Sequence, residues 1–387
     1  MSENFNGPLH EMARTTPTQY LNDSCAVSEL EYALARGVSG ATSNPVIVLN
    51  TLKKEMHLWR EHIAQIVCDN PTWHETRIAW KVYEDLGLNG ARMLLPVFEA
   101  SGGVLGRLSI QTDPAAYNDA EATLAQAMYF AGLAPNIQVK IPCTAAGISI
   151  IEEATFRGVN LNVTVSFCVP QVLAIGESIE RGLCRREAAG HDVSKMRPYA
   201  TMMVGRLDDW LKVVAKKQSI AIDPEHLEWP GVAAFKRATE IFAERGYRTR
   251  MLSAAYRNFL HWTEFVGGDV ALTIPWDWQV KFNDSGVRPD PRMHLPVDPG
   301  ILRSLSTALP EFRRAYEPDG MSVREFDTFT RDNDPYDEHD MGLVEVASER
   351  VLWKIDYYDA ERRYGSPDPS DPAVTTRVLT IMLASEY

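Results

Sequence analysis

The strongest constraint on this chain is a repeated alternation of two patterns. Eight short β-like runs fall at residues 18–23, 37–44, 106–113, 136–142, 159–167, 197–205, 248–255 and 269–275. Segments with helical spacing separate most of them, as at 114–133 and at 145–158, where Gly158 supplies the stop. A parallel strand pair needs a crossover long enough to hold a helix, so this order predicts a parallel sheet. Eight such units predict an α/β fold in which the strands close into a (β/α)8 TIM barrel. An open doubly wound sheet is the alternative, but no glycine-rich phosphate fingerprint follows an early strand.

The runs differ from ordinary buried strands in one respect. Alternate side chains of a strand point to opposite faces. In "NIQVKIP", Ile137, Val139 and Ile141 share one face, while Gln138 and Lys140 share the other. In "NLNVTVS", Leu161, Val163 and Val165 oppose Asn160, Asn162, Thr164 and Ser166. Arg107, Ser109 and Gln111 form a third polar face, and Thr42 with Asn44 a fourth. A barrel turns its aliphatic strand faces toward the helices, so these polar faces converge on the axis. A buried polar group without a partner costs about 1–3 kcal/mol. The ladder therefore either bonds to itself or holds a ligand. A lysine among apolar and amide groups has its pKa lowered, and a neutral amine can attack a ketone to form a Schiff base.

Bulk properties narrow the function classes. The 387 residues exceed a usual single domain, and a barrel with added elements fits as well as two domains. The net charge of −13 argues against a general nucleic-acid or membrane-surface binder. It leaves room for a small anionic substrate. The polar N-terminus lacks a secretory h-region, no run is long enough to span a membrane, and five scattered cysteines show no paired spacing. A cytoplasmic protein is the expectation. No HExxH-type cluster is present, so no metal is expected.

The motifs "GATSNP", "VKIP-T--GI", "GVN-NVT--F", "VGR--DW" and "YRN" occur here in the order and spacing of transaldolases, and the chain resembles that family over about residues 18–275. The resemblance implies a (β/α)8 barrel that needs neither metal nor organic cofactor. It implies transfer of a three-carbon dihydroxyacetone unit from a sugar phosphate or other anionic ketose to an aldehyde acceptor, as in the pentose phosphate pathway. The related fructose 6-phosphate aldolases perform simple cleavage. Carried over residue by residue, Lys140 is similar to the Schiff-base lysine and Asp23 to the proton-shuttling acid. Asn44 and Asn162 match asparagines that hold donor hydroxyls, with Thr42 in the same substrate-binding set. Thr164 matches the threonine that positions the catalytic water. Arg206 and Arg257 match the pair that grips phosphate.

The chain departs from that pattern at several positions. Gln111 stands where transaldolases carry glutamate, as the aldolases also have it. Glutamine holds a water but is no base. Met203 replaces the phenylalanine of transaldolases and the tyrosine of the aldolases, and Ala255 replaces a serine that adds a hydroxyl to the phosphate site. The missing hydroxyl is worth roughly 1–2 kcal/mol. Trp276 and Trp278 follow the last strand, where they either narrow the mouth or pack in the core. Transfer is the expected reaction. Cleavage without transfer, or a sugar-phosphate-binding barrel without catalysis, are the alternatives.

Other features take plainer readings. Cys143 and Cys168 read as small buried hydrophobes, and His261 as a helix-face residue. Residues 331–340 read as a solvated acidic turn. A capping box is expected at Ser28 and Glu31. The expected division is a catalytic barrel over 1–300 and a helical extension over 301–387, with helices at 301–316 and 343–363. The extension packs on the barrel or on a partner chain, which leaves a homodimer open.

Overall fold

A computed structural model describes residues 5–320 and the backbone of three later strands. The first eight strands are β1 (Gln19–Asn22), β2 (Gly40–Thr42), β3 (Arg107–Gln111), β4 (Ile137–Pro142), β5 (Leu161–Ser166), β6 (Tyr199–Met202), β7 (Arg250–Ser253) and β8 (Ala271–Ile274). They form a closed barrel in sequence order, and every neighbouring pair is parallel. The eight-strand reading of the sequence holds, with helices following the strands as a TIM barrel requires.

The two strand faces divide as their alternation demands. Leu108, Ile110, Val139, Ile141, Leu161 and Val163 are fully buried. Helix Glu75–Ala100 presses on the outside of β3 through Gly87 and Gly90, where a Cβ would lie 3.1 Å from Ile110 Cδ1 and 3.3 Å from Leu108 Cδ1. The opposite face is interior. Side-chain hydrogen bonds join strands two apart in the barrel order, Asn162 of β5 to Ser109 of β3 and Thr42 of β2 to Thr273 of β8. Such bonds must cross the barrel interior.

Several local expectations are corrected. Val165 does not continue the aliphatic face of β5. The register shifts between Val163 and Ser166, Val165 takes φ 59°, and its side chain is 40% exposed. A β-branched residue rarely adopts that backbone, so the end of β5 is a strained bulge at the barrel mouth. The expected capping box is absent. Helix Val27–Leu34 has Ala26 at its N-cap without a side-chain bond. Glu55 caps it instead from a neighbouring helix, accepting from the backbone N–H groups of Val27 (2.9 Å) and Ser28 (3.1 Å). Glu55 sits at the kink in helix Pro45–Asp69 and is buried. The helix expected over 301–316 is two, Pro299–Ala308 and Pro310–Tyr316, because Pro310 cannot continue the first.

The chain divides into two compact units, residues 1–211 with 222–323, and residues 212–221 with 324–387. The first holds the barrel. In the second, β9 (Met341–Val346), β10 (Glu349–Tyr358) and β11 (Thr376–Leu383) form an antiparallel sheet in the order β11-β10-β9. The helix expected over 343–363 is thus not formed where the chain is described. The sequence of β10 alternates Val351, Trp353, Ile355 and Tyr357 with mostly polar neighbours, and such β-branched and aromatic residues favour strands. The acidic turn expected at 331–340 lies outside the described residues. Among the described residues no helix is long and apolar enough to cross a membrane.

Candidate active site

The C-terminal ends of the barrel strands carry most of the residues singled out from the sequence. Lys140 sits near the end of β4, in register with Gln111 on β3 and Asn162 on β5. Its side chain is buried. Burial pulls its pKa down from the ordinary lysine value, and the negative charge of Asp23 partly opposes that. Asp23 follows β1 directly, and its backbone N–H donates to Ile274 O (3.1 Å). Burial pushes its carboxyl up, against the Lys140 ammonium and a hydrogen bond from Thr42. Both groups are thus drawn toward their neutral forms by desolvation and toward their charged forms by each other.

Thr42 is committed to Asp23. Its hydroxyl donates to Asp23 Oδ1 at 2.6 Å and also meets the Thr273 hydroxyl. Since Thr42 donates to the carboxylate, Thr273 is the donor in the second bond. Thr273 was missed from the sequence, because a lone threonine in "ALTIP" carries no motif signal.

Beside these residues the ladder bonds to itself. Thr201 Oγ1 donates to Asn162 Oδ1 (2.6 Å), and Asn162 Nδ2 donates to Ser109 Oγ (3.1 Å). Gln138 Nε2 donates to the carbonyls of Leu161 and Arg197. That network holds the Asn162 amide in a fixed orientation with one N–H to spare. Lys140 Nζ, the Gln111 amide and Thr164 Oγ1 have no hydrogen-bond partner among the described residues. These side chains thus keep their donors and acceptors available to a polar ligand. The Gln111 backbone is fixed from outside, since its N–H donates to Tyr83 Oη (2.7 Å) and its carbonyl accepts from the same hydroxyl (3.1 Å).

Asn44 lies at the same end of the barrel, but its carbonyl oxygen caps helix Pro45–Asp69 by accepting from Ile47 N (2.9 Å). Only its amide N–H groups remain for a ligand. Met203 follows β6 and is partly buried. Arg206 is exposed on the first turn of helix Val204–Lys217. Arg257 follows β7 on the rim and is paired with Asp209, through Nε to Oδ1 (3.0 Å) and Nη2 to Oδ2 (2.7 Å). The two arginine-bearing segments pack closely. A Cβ on Gly205 would lie 1.9 Å from Ala255 O and 2.7 Å from Arg257 Cγ. Ala255 takes φ 65°, a left-handed backbone that the turn after β7 requires.

The remaining sequence readings divide. Trp278 belongs to an aromatic cluster with Tyr256, Phe259 and Phe282, whereas Trp276 is 37% exposed against Tyr32 and Lys54. Burial pushes the Cys143 thiol up to about 12 and Cys168 up to about 11, which keeps both protonated. His261 lies on the short helix Leu260–Thr263 and is fully buried against Asp208. Among the described residues no group of three His, Cys, Asp or Glu side chains is placed to hold a metal ion.

The model of the Transaldolase/Fructose-6-phosphate aldolase family matches residues 20–311. The chain belongs to that family. Transaldolase from Thiobacillus denitrificans is 28% identical over 300 residues, covering 72% of this chain and 81% of the relative. Transaldolase from Mycobacterium ulcerans is 28% identical over 279 residues, 65% and 73% of the two chains. Transaldolase 1 from Streptomyces avermitilis is 32% identical over 207 residues, 48% and 55% of the two. A second model, for a protein family of unknown function (DUF3768), matches residues 321–386. The family match covers the whole barrel and both arginine-bearing segments, and it ends before the antiparallel sheet begins.

Proposed function

We propose that this member of the transaldolase/aldolase family moves a three-carbon dihydroxyacetone unit from an anionic ketose to an aldehyde acceptor through a Schiff base on Lys140. The observation that carries the reading is the juxtaposition of a buried lysine and a buried carboxyl whose charges feel each other at the C-terminal end of a closed barrel. Binding alone needs neither group, and burying both ion-forming side chains is costly.

Lys140 in its neutral form adds to the C2 carbonyl of the ketose. Loss of water, with Asp23 supplying the proton, gives the protonated imine. Asp23 as carboxylate then takes the C4 hydroxyl proton, the C3–C4 bond breaks, and its electrons move into an enamine on the lysine. The released fragment is an aldehyde. An acceptor aldehyde at C3 reverses these steps with a new partner, and hydrolysis frees Lys140. Gln111 and Thr164 hold the water that carries protons between Asp23 and the substrate. The spare N–H groups of Asn162 and Asn44 hold donor hydroxyls. Met203 contributes an apolar wall. Arg206 and Arg257 hold the anionic end by forked hydrogen bonds.

One observation favours the second reading, cleavage without transfer: position 111 is an amide and cannot act as a base beside the water. The two are separated by product analysis. Fructose 6-phosphate is incubated with the protein, with and without an aldose phosphate. Transfer gives a new ketose phosphate that depends on the acceptor; cleavage gives free dihydroxyacetone in both cases. Turnover that survives in Lys140→Ala would sink both readings.

A further inference from the structure

Arg257 is anchored by more than its side chain. Its backbone N–H donates to His261 Nδ1 at 3.1 Å. The other ring nitrogen, Nε2, meets Asp208 Oδ2 at 2.7 Å, and Asp208 Oδ1 accepts from Gly231 N at 2.8 Å. His261 and Asp208 are both fully buried. The contacts select the ring's protonation. Nδ1 accepts a backbone N–H and so carries no proton, which puts the ring proton on Nε2, facing the carboxylate. Asp208 stands beside Asp209, which grips the Arg257 guanidinium, and two residues after Arg206. One helical turn thus presents one arginine and fixes the backbone and side chain of the other.

A buried carboxylate against an imidazole is an expensive way to fill a core, since apolar side chains of equal volume pack without desolvating a charge. We propose that His261, oriented by Asp208, is a positioning residue for the anion-binding loop. It holds the Arg257 N–H, sets where the guanidinium stands relative to Arg206, and so determines the preference for a substrate with an anionic end over a neutral one. The inference rests on the reading that Arg206 and Arg257 grip the anion.

Two substitutions of the ring separate its two contacts. In His261→Asn the side-chain oxygen takes the place of Nδ1 and keeps an acceptor for Arg257. In His261→Gln the amide reaches the Nε2 position and faces Asp208, while the Arg257 N–H loses its acceptor. The measurement is kcat and KM for turnover of fructose 6-phosphate and of fructose, each with a saturating aldehyde acceptor. His261→Gln is expected to raise KM for the phosphorylated ketose about tenfold, with kcat and the fructose reaction little changed, and His261→Asn to stay within about twofold of the parent. Asp208→Asn tests the same claim without touching the ring. With its oxygen still on Gly231, its NH2 faces Nε2 and drives the ring proton to Nδ1, against the Arg257 N–H. It is expected to raise the same KM. Equal losses on both ketoses, equal effects of the two His261 variants, or a folded Asp208→Asn protein with unchanged KM would overturn the proposal. Arg257→Ala is the reference. If it leaves the preference for the phosphorylated ketose intact, the anion-grip reading itself fails; if it abolishes that preference and His261→Gln does not, only the positioning role fails.

Discussion

Thr42 donates its hydroxyl to Asp23 Oδ1 at 2.6 Å, and it is itself backed by Thr273 from the far side of β1. The bond favours the ionised carboxylate and so holds the Asp23 pKa lower than burial alone would set it. Thr42→Val is therefore expected to raise that pKa further. The acid limb of the kcat/KM profile should move to higher pH in Thr42→Val and return in Thr42→Ser. A profile that does not move would show that Asp23 is not the titrating group.

The amine and the acid titrate against each other. Imine formation needs neutral Lys140, so the rate of reductive trapping should rise with pH and level off below the pKa of a free lysine side chain. The Asp23 charge raises the Lys140 pKa, so removing it lowers that value further. In Asp23→Asn the inflection should shift to lower pH, even where turnover is lost. A shift upward would place the negative charge of Asp23 out of reach of the lysine.

Gly205 is the contact point between the two arginine-bearing segments. A methyl there meets the Ala255 carbonyl at 1.9 Å, which no side-chain rotation relieves because the obstacle is backbone. Gly205→Ala should therefore displace the loop after β7 and raise KM for a phosphorylated ketose by at least tenfold, on the order of one lost charged contact. Calorimetric titration with inorganic phosphate would check the same loss without turnover.

Stability has its own buried ion cluster, away from the lysine. Glu264 is 4% exposed, accepts from Lys236 Nζ at 2.7 Å and from Arg292 Nε at 2.6 Å, and Lys236 also donates to the carbonyls of Arg292 and Leu295. Breaking a buried pair by removing one partner costs roughly 3–5 kcal/mol, because the other charge stays buried. Glu264→Ala should lower the thermal midpoint sharply, while the joint Lys236→Met and Glu264→Leu change should recover much of the loss. Thermal scans of the three proteins decide it.

How far the sequence could be read follows from the range of each interaction. The eight strands and the inward placing of Gln111, Lys140 and Asn162 were legible because period-2 alternation is local. Val165 was misread because a bulge keeps the same composition while changing the count. Glu55 capping a helix 27 residues away, and Tyr83 clasping Gln111, are contacts between distant segments with no local sign. Asn44 and Arg257 show a different limit. Their identities were legible, yet Asn44 spends its carbonyl on a helix N-terminus and Arg257 is already paired with Asp209. Residues 343–363 carry charged residues and aromatics that suit a helix or a strand, and over 343–346 and 349–358 antiparallel pairing decides for the strand.

The central claim is a covalent one, and reductive trapping tests it most directly. The protein is mixed with fructose 6-phosphate, reduced with borohydride and digested, and the modified peptide is identified by mass. The account predicts a three-carbon adduct on Lys140, absent in Lys140→Ala. An adduct on another lysine, or turnover of fructose 6-phosphate with no trapped adduct at all, would contradict it.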